Sequence, residues 1–159
     1  MLDKLLRYPK MRLAQMEDIG GCRAIVAGDT AMKRVRARIR NNWEVVREYP
    51  YDVEAKTKTG YRSRHIVVRR NNRLIEIQLR TPRQHDWAEA VEDAAARTGH
   101  NLKDGDGPLE LIDFFRVASR IIALQERGDW PDNEESAALR VRWDELNQHV
   151  RQYFPESAG

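Results

Sequence analysis

Two short runs of the 159-residue sequence carry polar side chains at alternate positions: Tyr61, Ser63 and His65, then Glu76, Gln78 and Arg80. Alternate residues of a β-strand share a face, so each run would present these groups together. A carboxylate, an imidazole, an amide, a guanidinium and an aromatic ring in one patch suit a nucleotide with a metal ion. The plain alternative is the solvated outer face of a half-buried hairpin. Upstream, Asp18 and Arg23 bracket Gly20-Gly21, a pair that lets backbone approach a ligand closely, or simply turns the chain.

The element that must position the two runs is a hairpin. Asn71-Asn72 separates them, and Asn tolerates the positive φ that a two-residue type I′ turn needs at both central positions. With Arg70 opposite Arg73, Val67 faces Glu76, His65 faces Gln78 and Ser63 faces Arg80, while Ile66 and Val68 meet Ile77 and Ile75. Ile66, Val68, Ile75, Ile77 and Leu79 then form the face that packs on helices.

Composition sets the outer bounds. The length suits one domain spanning 1–159, with 41% hydrophobic and 33% charged residues, as in globular proteins. Twenty-eight Lys and Arg against 25 Asp and Glu give +3, which permits a nucleic-acid surface without demanding one. The single Cys22 excludes an internal disulfide and a Cys-based zinc site, suits a reducing compartment, and is expected as a small core residue. No apolar run is long enough for a membrane span, and residues 1–12 lack the apolar centre of a signal peptide, so a cytoplasmic protein without a membrane partner is expected.

In chain order, Met1–Arg7 reads as the end of a helix and Met11–Met16 as a short helical piece. Cys22–Ala27 reads as a short buried strand. Asp29-Thr30 should cap a helix to about Asn41 with Met32, Val35 and Ile39 inward, its Lys33, Arg34, Arg36, Arg38 and Arg40 reading as a solvated face. Trp43–Tyr49 forms a strand, and Pro50–Thr59 a polar loop holding Lys56 and Lys58. After the hairpin, Thr81-Pro82-Arg83-Gln84 signals a helix start through a capping box, and Gly99 its stop. His100–Gly107 lacks the ligand spacing of a calcium loop and reads as a linker. Pro108 opens a helix to Arg127, and Asp132 with Glu135 caps a last one bearing Leu139, Trp143, Leu146 and Val150. The predicted fold is α+β, a mixed sheet with a core over about 17–98 flanked by helices, the C-terminal pair over about 108–152.

Asp18-Ile-Gly-Gly-Cys-Arg23, Gly60-Tyr-Arg-Ser-Arg-His65 and Glu76-Ile-Gln-Leu-Arg-Thr81, followed by a helix with Trp87 and Glu89, resemble the synthetase domain of RelA/SpoT-type alarmone synthetases over about Met1–Arg127. The resemblance implies a nucleotidyltransferase-like fold and transfer of the β,γ-pyrophosphate of ATP to the 3′-hydroxyl of GDP or GTP, giving (p)ppGpp. It implies that Asp18 and Glu76 hold Mg2+ as the catalytic pair, with Glu76 helping to deprotonate the hydroxyl. Tyr61 would stack on the acceptor guanine, with His65, Gln78 and Lys56 or Lys58 on the acceptor side and Arg23 and Arg80 at phosphates. In two places the sequence departs from the family: the basic helix that grips ATP phosphates would lie ahead of Met1, and Tyr51-Asp52-Val53 replaces an Asp-Tyr-Ile-like segment. The resemblance therefore leads us to expect a small stand-alone or truncated synthetase that binds guanine nucleotide and transfers weakly. Two other readings stand beside it. One is a toxin-type enzyme acting on the tRNA 3′ end, with Arg34, Arg36, Arg38 and Arg40 as the surface to examine. The other is a nucleotide-binding or assembly module, and a homo-oligomer is compatible with any of the three.

Overall fold

The computed structural model describes residues 20–51, 58–131 and 133–154. The chain divides into two compact units, Met1–Pro50 with Ser63–Thr81 (the sheet unit) and Tyr51–Arg62 with Pro82–Gly159 (the helical unit). The expectations for Met1–Arg7, Met11–Met16, Asp18, Lys56 and Asp132 lie outside the described residues.

The sheet unit contains β1 (Gly21–Ile25), α1 (Asp29–Asn42), β2 (Glu44–Pro50), β3 (Arg64–Arg70) and β4 (Arg73–Arg80). The strands lie in the order β1-β4-β3-β2, with β1 parallel to β4 and the other pairs antiparallel, the expected mixed sheet of an α+β protein. Asn71 and Asn72 have φ of 48° and 60°, so the turn pins the register as their chemistry requires. Arg70 pairs with Arg73, Val67 with Glu76 and His65 with Gln78. On one face Ile66, Val68, Ile77 and Leu79 pack with Val26 and with Met32, Val35 and Ile39 of α1. Complete burial of a side chain of this size contributes about 1.5–3 kcal/mol.

Three local expectations are corrected in this unit. Among the described residues β1 pairs with β4 alone, leaving Cys22 exposed and Ile25 50% exposed, so of this run Val26 is buried in the core and Cys22 is not. Gly28 occupies the N-cap of α1 with φ 153°, no side chain caps the helix, and Asp29 instead pairs with Lys33 one turn on at 2.6 Å. The solvated basic face is only partial, because Arg36 and Arg40 bind Glu48 of β2, which also accepts from Arg64 at 2.7 Å. Burial pushes the Glu48 carboxyl up, but hydrogen bonds and charge from Arg36 and Arg64 outweigh it and hold the group below its ordinary range.

The helical unit holds α2 (Pro82–Thr98), a 3-10 turn (Leu102–Asp104), α3 (Leu109–Arg127), α4 (Glu134–Val150) and a second 3-10 turn (Arg151–Tyr153). Trp87, Ala88, Val91 and Ala94 of α2 share a core with Leu102, Leu111, Phe115 and Val150. Leu102, 2% exposed, makes His100–Gly107 a docked turn rather than a plain linker. Gly99 and Gly128 end α2 and α3 with φ of 71° and 78°, as left-handed stops should. The cap of α4 is Asn133, which accepts from the backbone of Ser136 at 2.8 Å, one residue later than the expected Asp132 box; Glu135 is engaged by Arg120 instead.

Candidate functional site

The hairpin register carries its polar members to the sheet face opposite α1, and the two outer strands extend it. Parallel pairing sets Gly21 beside Glu76 and Arg23 beside Gln78. Antiparallel pairing sets Tyr49 beside His65. One row across the sheet therefore reads Arg23, Gln78, His65, Tyr49, and the next reads Gly21, Glu76, Val67, Arg47. Tyr49 and Arg47 were not among the expected site residues, and the reason is a bulge. The pairing of β2 with β3 shifts by one residue between Val45 and Arg47, so Val45 faces the core while Arg47 and Tyr49 turn to the polar face. Plain alternation from Val45 would have put both on the core side; only pairing β2 against the fixed hairpin reveals them.

Glu76 is the centre of this face. Its Oε1 lies 2.8 Å from His65 Nδ1 and its Oε2 accepts from Gln78 Nε2 at 2.7 Å. His65 and Glu76 side chains are only 13% and 14% exposed, so the carboxylate is held rigidly and partly away from water. The glycines upstream serve this residue: Gly20 accepts from the Glu76 backbone N–H at 3.0 Å, and a Cβ on Gly21 would meet the Glu76 carbonyl oxygen at 3.2 Å. Any side chain at Gly21 would also stand on the face next to the carboxylate.

The remaining sheet-unit candidates differ in accessibility. Arg23 is exposed. Arg80 is 1% exposed and donates to Gln78 Oε1 at 3.5 Å, so it is placed to orient the amide rather than to meet solvent-borne phosphate. Ser63 is buried and donates to the Leu79 carbonyl at 3.1 Å, which makes it a fastening of the hairpin and not an open site group.

Tyr61 and Lys58 belong to the helical unit, where Lys58 is exposed. Gly60, with φ 89°, presses against α3: a Cβ there would sit 2.9 Å from Ser119 Cβ and 3.0 Å from Arg116 Cα. Ser119 donates to the Gly60 carbonyl, and Arg62 pairs with Glu126 at 2.9 Å, so this loop is fastened on both sides of Tyr61. The Tyr61 ring meets Tyr51 edge-on at 6.0 Å and Trp87 at 6.3 Å, and Lys103 Nζ lies over it at 5.6 Å. Lys103 also escaped the sequence reading, because the docked turn that carries it looked like a linker.

Among the described residues no group of three or more His, Cys, Asp or Glu could hold a metal ion by itself. Glu76 alone fits the role of one carboxylate in a Mg2+ site completed by phosphate oxygens, which is how Mg2+ is commonly held. No helix among the described residues is long and apolar enough to cross a membrane.

Comparison with known proteins gives this face a context. The chain is 28% identical to an uncharacterised protein of Mycobacterium tuberculosis, covering 82% of this chain and 52% of the relative, so it spans about half the length of the curated relatives it matches. Its fold is similar to that of small alarmone synthetase 2 from Bacillus subtilis, with a TM-score of 0.65 at 23% identity over 80% of this chain and 70% of the other. Small alarmone synthetase 1 from the same organism, bound to its product pppGpp, is similar with a TM-score of 0.64 at 26% identity, over 88% of this chain and 72% of the other. The sequence profile described as the region found in RelA / SpoT proteins matches residues 1–98, which take in the whole sheet unit and α2. On that match the chain belongs to the RelA/SpoT family.

Proposed function

We propose that the chain is a pyrophosphokinase that moves the β,γ-pyrophosphate of ATP to the 3′-hydroxyl of GDP or GTP. The observation that carries this reading is Glu76 fixed between His65 and Gln78 on a polar, half-buried sheet face, in a family whose solved relative holds pppGpp. In the proposed reaction the 3′-oxygen of the acceptor bonds to the β-phosphorus of ATP, the bond from that phosphorus to the α,β-bridging oxygen breaks, and AMP leaves. The hydroxyl proton passes to Glu76. Mg2+, held by Glu76 with Asp18 and by phosphate oxygens, would supply neutralising charge to the triphosphate.

The surrounding residues then have distinct tasks. His65 and Gln78 aim the two carboxylate oxygens, and Arg80 holds Gln78. Arg23, exposed in the same row as Gln78 and His65, is the phosphate contact. In the helical unit Tyr61 stacks on the guanine, with Lys56 or Lys58 and Lys103 meeting acceptor phosphates; Lys103 already rests over the ring it would share with the base. Positioning and charge neutralisation of this kind account for most of the catalysis in phosphoryl transfer.

The test follows the label. The purified protein is incubated with ATP labelled in the γ-phosphate and with GDP, GTP or tRNA in separate reactions. Label arriving on GDP or GTP supports the reading. Label on tRNA alone makes the protein a tRNA-modifying enzyme, and label on none of them removes the proposed activity.

A further inference from the structure

The modest net charge of the chain conceals a strong separation. The described part of the sheet unit holds twelve Lys and Arg against four Asp and Glu, a net of +8, whereas that of the helical unit holds eleven against fourteen, a net of −3. The excess is not spent inside the sheet unit, because Glu48 takes three of the arginines and Glu44 and Asp29 one cation each.

Part of what is left over gathers at the hairpin turn. Arg70 and Arg73 are exposed and directly opposite each other, a cross-strand pair of like charges that costs stability. Among the described residues no salt bridge reaches either of them. Beside them Trp43 is 37% exposed, and the Arg70 guanidinium lies 5.7 Å from the centre of its indole. A short Asn-Asn turn tolerates many polar neighbours, so nothing in the fold itself requires two arginines and an uncovered indole there.

We propose that the turn, through Arg70, Arg73 and Trp43, is a docking surface for single-stranded nucleic acid, with RNA the expected ligand. Guanidinium groups fork phosphates, and an indole with an adjoining guanidinium gives an unpaired base a stacking platform. Around Trp43 stand Arg69, Arg70, Arg73 and Glu44, all of them exposed, a net positive rim that complements a polyanion carrying stackable bases. The surface is separate from the Glu76 face: Arg73 lies three residues along β4 from Glu76 and Arg70 five along β3 from His65, about 10 and 17 Å of strand. The inference holds whether or not the transfer reaction proposed above is the activity.

Fluorescence anisotropy of the full chain with a labelled single-stranded RNA of about 20 nucleotides tests it, with a DNA of matching base sequence and anionic phospholipid vesicles as further arms. Binding of RNA is expected, weakened at least tenfold in Arg70→Gln/Arg73→Gln and in Trp43→Ala. For the arginine pair the slope of log K against log salt should fall by about 1.4, as two lost phosphate contacts on a single strand require. Relief of the like-charge pair should leave the thermal midpoint of the double variant unchanged or raised, so misfolding cannot imitate the result. DNA bound as well as RNA would still support a polynucleotide surface, read through phosphate and base rather than the 2′-hydroxyl. No binding, binding unaffected by either variant, or vesicles bound as tightly as RNA with the same dependence on the arginines would overturn the proposal.

Discussion

The sheet unit and the helical unit solve the problem of a charged surface in opposite ways. In the helical unit arginines are matched locally: Arg62 with Glu126, Arg97 with Asp93, Arg116 with Asp113, Arg120 with Glu135, Arg127 with Asp129, Arg142 with Asp113 and Glu145. Its core is aromatic, with Trp87 and Phe115 edge-to-face at 6.2 Å and Phe114 stacked on Trp143 at 4.6 Å. The sheet unit has a core of β-branched and aliphatic side chains and far too few carboxylates for its cations. One unit is balanced and braced; the other is left electrostatically unsatisfied, a state suited to anionic ligands. The contrast teaches that a net charge of +3 describes neither part of the molecule.

The sharpest way to test the contrast is at Glu76, the acidic group held between His65 and Gln78 on the polar face of the sheet. Glu76→Gln keeps the volume and removes the charge, and pyrophosphate transfer in the labelled-ATP assay should fall by about three orders of magnitude, in line with the loss of a charged group in phosphoryl transfer. The thermal midpoint should hardly move. Full turnover in this variant would detach the chemistry from this face.

In the helical unit the largest effect should be on stability. Leu111 is fully buried among Trp87, Phe115 and Val150, so Leu111→Ala should cost about 2–5 kcal/mol in denaturant unfolding. A smaller loss, about 1–3 kcal/mol, is expected for Gly60→Ala, where the added Cβ meets Ser119 and Arg116 at a φ of 89°. That variant should also raise KM for the acceptor, because the same loop holds Tyr61. An unchanged KM would remove Tyr61 from the acceptor site.

The smallest effect concerns acid. Glu48 has its carboxyl lowered in the folded protein, so it stabilises at pH values above the ordinary carboxylate range, and the contribution fades as the pH falls through the lower folded value. Thermal midpoints of wild type and Glu48→Gln should therefore differ at neutral pH and converge in acid. A gap that stays constant down to strong acid would mean that Glu48 contributes through packing instead of charge.

Much of this could be read from the residues because punctuation fixed it. Asn71-Asn72 set the hairpin register, and through it the positions of His65, Glu76 and Gln78; Gly99 and Gly128 set helix ends. What escaped had no local marker. The edge position of β1, which exposes Cys22, follows from strand order and not from composition. Leu102 docks because α2 and α3 leave room for it, and so Lys103 comes over Tyr61. Asn133 caps α4, and nothing local in a run of two cap-forming residues, Asp132-Asn133, says which of them the helix will use. The site roles themselves came from the resemblance and rest on the experiments above; Asp18 and Lys56 lie outside the described residues.

The bulge in β2 has a consequence for how this strand can change over generations. Substitutions along β2 alter one side chain at a time, and loss of a single codon at Val46, the extra residue, would restore simple alternation while leaving Arg47 opposite Val67 and Tyr49 opposite His65. A codon gained between Arg47 and Glu48 would do the opposite: Tyr49 would swing beneath the sheet into the apolar layer, and Glu48 would leave its three arginines for the other side. The strand thus has a reading frame in space as well as in sequence, and its length is as much a part of its meaning as its letters.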